Sequence, residues 1–172
     1  MNNATISVNP TETICDFLQQ IGIKVHKEPV NEETFLPGIL IKHGELVIDE
    51  SKLKYPGDIL HEAGHIAVMT PDERKLSYGN VGQPADAQKA LGEEIMAICW
   101  SYAALSKLNL PINCVFHEDG YKGASDWLIE EYEKGNYIGS ATLQWIGLCY
   151  DVQTAQSKNA RPFPSMIKWL RD

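Results

Sequence analysis

Residues 58–69 read Asp58-Ile-Leu-His-Glu-Ala-Gly-His-Ile-Ala-Val-Met69 and contain the pattern H-E-x-x-H. If this stretch is helical, His61 and His65 lie four residues apart on one face, where both imidazoles can reach a single metal ion. Neutral imidazole is among the preferred ligands of zinc. Glu62 projects about 100° away from His61, which keeps it off the ion but close to a water beside it. The stretch therefore predicts a metal site with two ligands and one base.

The sequence on either side of the motif predicts that it is helical. Tyr55-Pro56-Gly57 interrupts the chain, and Asp58 is a suitable N-cap for a helix that begins at Ile59. Thr70-Pro71 ends the helix, because the residue before proline is pushed out of the helical region. The alternative interpretation is a histidine pair on the surface or in the core. Apolar residues at helical spacing argue against a merely solvated pair: Ile59, Ala63, Ile66 and Ala67.

Length and composition indicate an ordinary globular protein. The chain has 172 residues, of which 44% are hydrophobic and 22% charged, so we expect one domain over residues 1–172. The net charge of −8 predicts no binding to nucleic acid or to an anionic membrane surface. No long apolar run and no signal peptide at Met1-Asn2-Asn3 can be recognised, so we expect a cytoplasmic location. The four scattered cysteines are interpreted as reduced thiols.

The segments before and after the motif predict a β-hairpin and a long loop. Residues 38–49 predict a β-hairpin with His43-Gly44 at its turn, because the flanking runs are rich in Ile and Val. A sheet edge beside such a helix suggests that a peptide substrate could add as an extra strand. The polar segment from Thr70 to Ala85 is interpreted as a long loop across the mouth of the site.

The longest helical pattern runs from Asp86 to Leu108 and contains two candidates for a third metal ligand. Glu94 falls within an apolar stripe, where a carboxylate is unfavourable unless a cation compensates it. Glu93 lies about 100° away, beside small alanines that allow close helix packing. Either glutamate can be the third ligand on this reasoning, and we favour Glu94.

The remaining segments predict additional helices. Asn9 and Pro10 begin one at the N-terminus, and Ile23 to Val30 is a candidate short strand. After Leu110-Pro111, helices are predicted for residues 125–134 and 140–153 and from Ser165 onward. The predicted fold class is α+β, with a small mixed sheet of about three strands packed on two metal-bearing helices and with helices at both ends.

The run from Phe35 to Asp49, followed by Ile59-Leu-His-Glu-Ala-Gly-His-Ile-Ala67, resembles the ImmA/IrrE-like metallopeptidases. In that family a hairpin precedes a helix bearing H-E-x-G-H, and a second helix supplies a glutamate. Glu94-Ile-Met-Ala-Ile-Cys-Trp100 is similar to the family's E-x-x-A-x-x-F pattern, with Trp100 in place of Phe.

The resemblance covers about residues 35–111 and implies a zincin-like minimal metallopeptidase fold with its core there. The helices predicted over 112–172 form a C-terminal extension that the resemblance does not cover. The resemblance also implies Zn²⁺ as the cofactor. Carried over residue by residue, His61, His65 and Glu94 become the zinc ligands, and Glu62 becomes the general base.

These observations lead us to expect a zinc-dependent hydrolase, specifically a metallopeptidase whose partner is a peptide or protein substrate. Two alternatives stay open. One is a regulatory or interaction protein that keeps the zinc site without catalysis. The other is a metal-dependent hydrolase of a non-peptide substrate.

Supporting groups for such a site are less well defined by the sequence. His117, Tyr78 and Tyr102 are candidates for a second oxyanion donor, although core or surface placement is the preferred interpretation of each. Asp49, Asp58 or backbone carbonyls are candidates for accepting a hydrogen bond from a ligating histidine.

Overall fold

The computed structural model describes residues 9–79, 81 and 87–172. Residues 80 and 82–85 of the predicted loop, and Asp86 at the predicted start of the long helix, lie outside the described residues. Within them the fold is mixed α and β. Its helices are α1 (Pro10–Gln20), α2 (Gly57–Val68), α3 (Pro71–Leu76), α4 (Ala87–Leu108), α5 (Ser125–Glu133), α6 (Ser140–Trp145) and α7 (Val152–Ser157). Its strands are β1 (Val25–Lys27), β2 (Ile39–Lys42), β3 (Glu45–Ile48) and β4 (Tyr78–Gly79).

The strands form one small mixed sheet in the order β1-β3-β2-β4. The predicted hairpin is confirmed, because β2 and β3 pair antiparallel with Leu40 opposite Val47. His43 (φ 53°) and Gly44 (φ 78°) form its turn, and two successive positive φ angles match the twist of a two-residue hairpin. β1 pairs with β3 in parallel and β4 pairs with β2 antiparallel, so the sheet has four strands rather than about three.

Helices α2 and α4 pack against each other at unusually close range. A Cβ placed on Gly64 would lie 2.7 Å from the carbonyl oxygen of Ala97, so only glycine allows this approach. His65 follows Gly64 in α2, and Glu94 precedes Ala97 by nearly one turn in α4. The close contact therefore brings the histidine-bearing helix to the glutamate-bearing helix.

Helix α2 begins two residues earlier than predicted. It starts at Gly57, and Asp58 is a buried residue of its first turn with no capping hydrogen bond to the helix. The prediction that Asp58 is the N-cap is therefore wrong, because its carboxylate instead accepts a hydrogen bond from the distant His117. Gly57 also permits close packing here, since a Cβ on it would lie 1.9 Å from the carbonyl oxygen of Cys114.

Several predicted boundaries are wrong for identifiable reasons. The segment after Thr70 forms α3 and β4 rather than a loop, because Thr70 and Glu73 make a reciprocal capping box at the start of α3. The predicted helix at residues 140–153 divides into α6 and α7, since the chain turns at Gly147 with a φ of 80°. Residues from Ser165 onward form no helix. The strand predicted at residues 23–30 is shorter and covers only β1.

One main hydrophobic core joins the sheet, α2, α4 and the C-terminal segment. Its members from the C-terminal segment are Val115, Phe116, Leu128, Tyr132, Leu143, Leu148, Cys149 and Phe163. The chain end returns to α2 and α4: Trp100 Nε1 donates to the carbonyl oxygen of Trp169, and Arg171 N donates to that of Ala67. In the described part of the chain, no helix combines the length and the apolar character needed to cross a bilayer.

Candidate metal centre

The structure brings His61, His65 and Glu94 together at the contact between α2 and α4. The Nε2 atoms of the two histidines are 3.3 Å apart. The Glu94 carboxylate lies 3.5 Å from Nε2 of His61 and 3.2 Å from Nε2 of His65. Both histidines are buried, Glu94 is partly exposed, and all three side chains line one open cleft.

These separations suit a zinc ion. Zinc binds imidazole nitrogen and carboxylate oxygen at about 2.0–2.2 Å in tetrahedral geometry, which places neighbouring ligand atoms roughly 3.3–3.5 Å apart. The observed distances of 3.2, 3.3 and 3.5 Å lie close to that range. Two neutral nitrogens and one carboxylate are also a donor set that leaves a fourth position open for a water or a substrate.

Electrostatics favour an ionised Glu94. Burial alone would raise the pKa of its carboxyl, but hydrogen bonds from His61 and His65 and electrostatic attraction to them outweigh burial and hold that pKa well below its ordinary value. The cleft thus presents a carboxylate and two imidazoles to any cation that enters.

Glu93 is placed differently. It forms an ion pair with Lys89 one turn earlier on α4, at 3.5 Å, and it is not part of the trio. Of the two glutamates that the sequence left open, only Glu94 reaches both histidines. Whether the trio binds metal stays a prediction.

Glu62 lies in the same cleft as the trio but is not one of its members. Burial raises the pKa of its carboxyl from 4.5 to about 7; the nearby His65 opposes this shift, and the negative charges of Glu94 and Asp58 add to it. A carboxyl with a pKa near 7 can both accept and return a proton at neutral pH. That property is the one required of a general base.

Tyr121 is a site residue that the sequence reasoning missed. Its hydroxyl lies 3.4 Å from Nδ1 of His61, and the two rings meet edge to face with centroids 5.5 Å apart. When Nε2 of a histidine faces a metal, a hydrogen bond at Nδ1 fixes the tautomer and the ring orientation. Tyr121 is therefore placed to orient His61 rather than to contact the ion.

An uncommon backbone conformation delivers Tyr121 to this position. Tyr121, Lys122 and Gly123 have φ angles of 53°, 54° and 83°, so three successive residues are left-handed. Such a conformation is unfavourable for residues with side chains, and it persists where the surrounding structure enforces it. Gly123 was the only local signal in the sequence, and it does not indicate which side chain would reach His61.

Comparison of the chain with models of known protein families, with curated proteins and with solved structures found no match.

The three candidate oxyanion donors do not line the cleft. His117 is buried, stacks on Tyr55 and bonds to Asp58 through Nε2 at 2.8 Å. Tyr78 is exposed on β4 and donates to Glu32, whereas Tyr102 packs against Tyr132 in the core. Core or surface placement, the preferred interpretation of all three, is confirmed.

The two acidic candidates for supporting the histidines have other partners. Asp49 accepts hydrogen bonds from the amides of Val30 and Ser51 and thereby holds the loop after β3. Asp58 is tied to His117. The side chain found beside Nδ1 of His61 is that of Tyr121, so neither candidate aspartate supports this histidine.

The cleft around the trio has a volume of about 690 Å³ and is lined mostly by apolar side chains. No residue of a described strand contributes to the lining, although Phe35 in the segment before β2 does. The addition of a peptide strand to the sheet edge therefore stays a prediction.

Proposed function

We propose that this protein is a zinc-dependent hydrolase, and specifically a metallopeptidase. The observation that carries the proposal is the convergence of His61, His65 and Glu94 within 4.8 Å of one another, with Glu62 in the same open cleft. The cleft gives a substrate access to the ligand atoms, as catalysis requires and as a purely structural zinc site does not. The resemblance to ImmA/IrrE-like metallopeptidases supports a peptide bond as the target.

Each residue of the candidate site would have a separate role in hydrolysis of the peptide bond. His61, His65 and Glu94 would hold the ion, which when bound supplies a Lewis acid that activates water and polarises the carbonyl group. Glu62 takes a proton from the attacking water and returns it to the leaving amine as the C–N bond breaks. Tyr121 keeps the His61 ring oriented through Nδ1.

The experiment is hydrolysis of a peptide mixture by protein loaded with one equivalent of zinc, with new amino termini measured over time. Glu62→Gln is the matched variant, because it keeps the size of the side chain and removes the base. We expect cleavage by the wild type, a loss of at least about 100-fold in Glu62→Gln, and loss of activity with a chelator.

Two results would contradict the peptidase proposal. One is equal cleavage by wild type and Glu62→Gln, which would indicate a contaminating protease. The other is an absence of cleavage of any peptide by the zinc-loaded wild type, which would favour a zinc-binding regulatory protein or a hydrolase of a non-peptide substrate.

A further inference from the structure

The cleft beside the trio has two chemically different parts. The polar side chains of its lining are His61, Glu62, His65, Glu94, Tyr121 and Lys122. Much of the remaining wall is apolar and is built from two helices and one loop residue: Leu91, Ile95 and Ile98 on α4, Trp127 and Leu128 on α5, and Phe35. A molecule that fills the whole cleft would therefore join a polar group to a large apolar one.

The apolar wall leaves large side chains in contact with water. Phe35 is 67% exposed, Leu91 62% and Trp127 53%. Among the described residues, three of the eight exposed large apolar side chains thus line this one cleft. Apolar surface gathered at one concave place marks a binding site, because covering it removes it from water.

The part of the wall that α5 contributes comes from outside the region that resembles the metallopeptidase family. That resemblance ends near residue 111, whereas Trp127 and Leu128 belong to α5. The buried hydrogen bond from Ser125 Oγ to the carbonyl oxygen of His117 anchors the start of α5, and His117 is itself held by Asp58 of α2. The C-terminal segment is thereby fixed to the helix that carries both histidines.

We propose that this apolar part of the cleft is a specificity pocket for a large aliphatic or aromatic side chain adjacent to the cleaved peptide bond, with α5 as the selecting wall. The inference rests on the proposed hydrolase function and names its substrate class. A peptide suits the cleft because each backbone amide is flanked directly by side chains, so one substrate offers a polar group and an apolar group together. The volume of about 690 Å³ also falls within the usual range for ligand sites of about 300–1,000 Å³.

The test uses one mixture of proteolytic peptides and two readouts. In the first, immobilised Glu62→Gln protein loaded with zinc retains peptides without cleaving them, and mass spectrometry identifies those retained. In the second, the zinc-loaded wild type cleaves the same mixture, and the residues flanking each cut are counted. Dissociation constants of single retained peptides, and of copies with the apolar residue changed to Ala, follow by calorimetry.

Two tryptophan variants provide the matched comparison. Trp127→Ala removes part of the apolar wall, whereas Trp145→Ala removes a tryptophan that is 80% exposed and lies outside this cleft. Both tryptophans are well exposed, so we expect both variants to fold. In the Glu62→Gln background we expect Trp127→Ala to weaken the binding of apolar peptides at least about tenfold, and Trp145→Ala to leave it unchanged.

Enrichment of Leu, Ile, Met or Phe among retained peptides, lost in Trp127→Ala alone, would support the pocket. Retention without that enrichment, or equal effects of both tryptophan variants, would overturn it. A failure of the peptidase proposal can be distinguished from a failure of the pocket proposal. If the protein is not a peptidase, apolar peptides would be retained but the wild type would cleave none of them. Cleavage with no apolar preference would instead keep the peptidase and overturn the pocket.

Discussion

At the scale of single residues, the candidate site depends on how His61 is held. Its Nε2 faces Glu94, and its Nδ1 faces the Tyr121 hydroxyl at 3.4 Å. A ring held at both nitrogens keeps one orientation toward the trio, so less order would have to be imposed when an ion binds. The contribution of Tyr121 can be measured by removing a single oxygen atom.

Tyr121→Phe keeps the aromatic ring against His61 and removes the hydroxyl. We expect zinc affinity to fall about tenfold, at the lower end of effects for such supporting groups because the hydrogen bond is long. Competition with a chromogenic chelator measures the change, and Tyr78→Phe, on the exposed β4, is the control. Equal affinities of Tyr121→Phe and wild type would show that Tyr121 does not support the site.

Glu62 gives a second prediction at this scale, for the metal-free protein. Because its pKa is raised from 4.5 to about 7, the folded state keeps a proton that the unfolded state releases between these pH values. The wild type therefore loses free energy of unfolding as pH rises through this window, by on the order of 1–3 kcal/mol. The amide introduced by Glu62→Gln cannot ionise, so this variant does not lose free energy of unfolding over the same pH range.

We expect metal-free Glu62→Gln to be more stable than the wild type at pH 8 and about equal to it at pH 4.5. Urea unfolding in the presence of a chelator, at both pH values, measures the two differences. The same difference at both pH values would contradict the raised pKa of Glu62.

At the scale of secondary-structure elements, the site depends on how closely α2 and α4 approach each other. Gly64 closely approaches the backbone of Ala97, and the candidate metal ligands lie near this contact on both helices. The glycine in H-E-x-G-H therefore has a packing reason in this structure. A larger residue would move the helices apart and separate the imidazoles from Glu94.

Gly64→Ala tests this contact against Gly92→Ala, a glycine of α4 with nothing within 4 Å of its added Cβ. We expect Gly64→Ala to lower the free energy of unfolding by about 1–3 kcal/mol and to weaken zinc binding. Gly92→Ala should be neutral or should stabilise the protein by up to about 1 kcal/mol, because alanine favours the helix. Similar stabilities for the two variants would contradict a critical contact at Gly64.

Some of these elements could be predicted from the sequence and others could not. The hairpin, α1 and α4 could be predicted because alternation, helical spacing and caps act locally. α3 had a readable signal in Thr70-Pro71 and Glu73, but its polar composition favoured a loop. Nothing local predicted the contact of Tyr121 with His61, since these residues are 60 positions apart and are joined by tertiary packing alone.

At the scale of the whole molecule, the C-terminal residues pack against helices from earlier in the chain. Trp169 packs edge to face on Phe17 of α1 and on Trp100 of α4, with ring centroids 4.9 and 5.4 Å apart. Its carbonyl oxygen also accepts the hydrogen bond from Trp100 Nε1. The C-terminal segment thus completes the core behind the helix that carries Glu94.

Trp169→Ala should lower the free energy of unfolding by about 2–3 kcal/mol, since it removes a half-buried aromatic side chain from the core. The exposed Trp145→Ala is the matched control, with an expected change within about 0.5 kcal/mol. Chemical denaturation of both variants measures the difference. If both variants changed the free energy of unfolding by the same small amount, the segment around Trp169 would not stabilise the fold.

The central claim is that His61, His65 and Glu94 form one metal site, and metal content per chain tests it most directly. The measurement uses protein purified without a metal-affinity tag and supplied with zinc, for wild type, His65→Ala, Glu94→Ala and Glu93→Ala. We predict about one zinc in the wild type and in Glu93→Ala, and much less in His65→Ala and Glu94→Ala. A wild type that takes up no zinc, or a Glu94→Ala variant that retains it fully, would contradict the account.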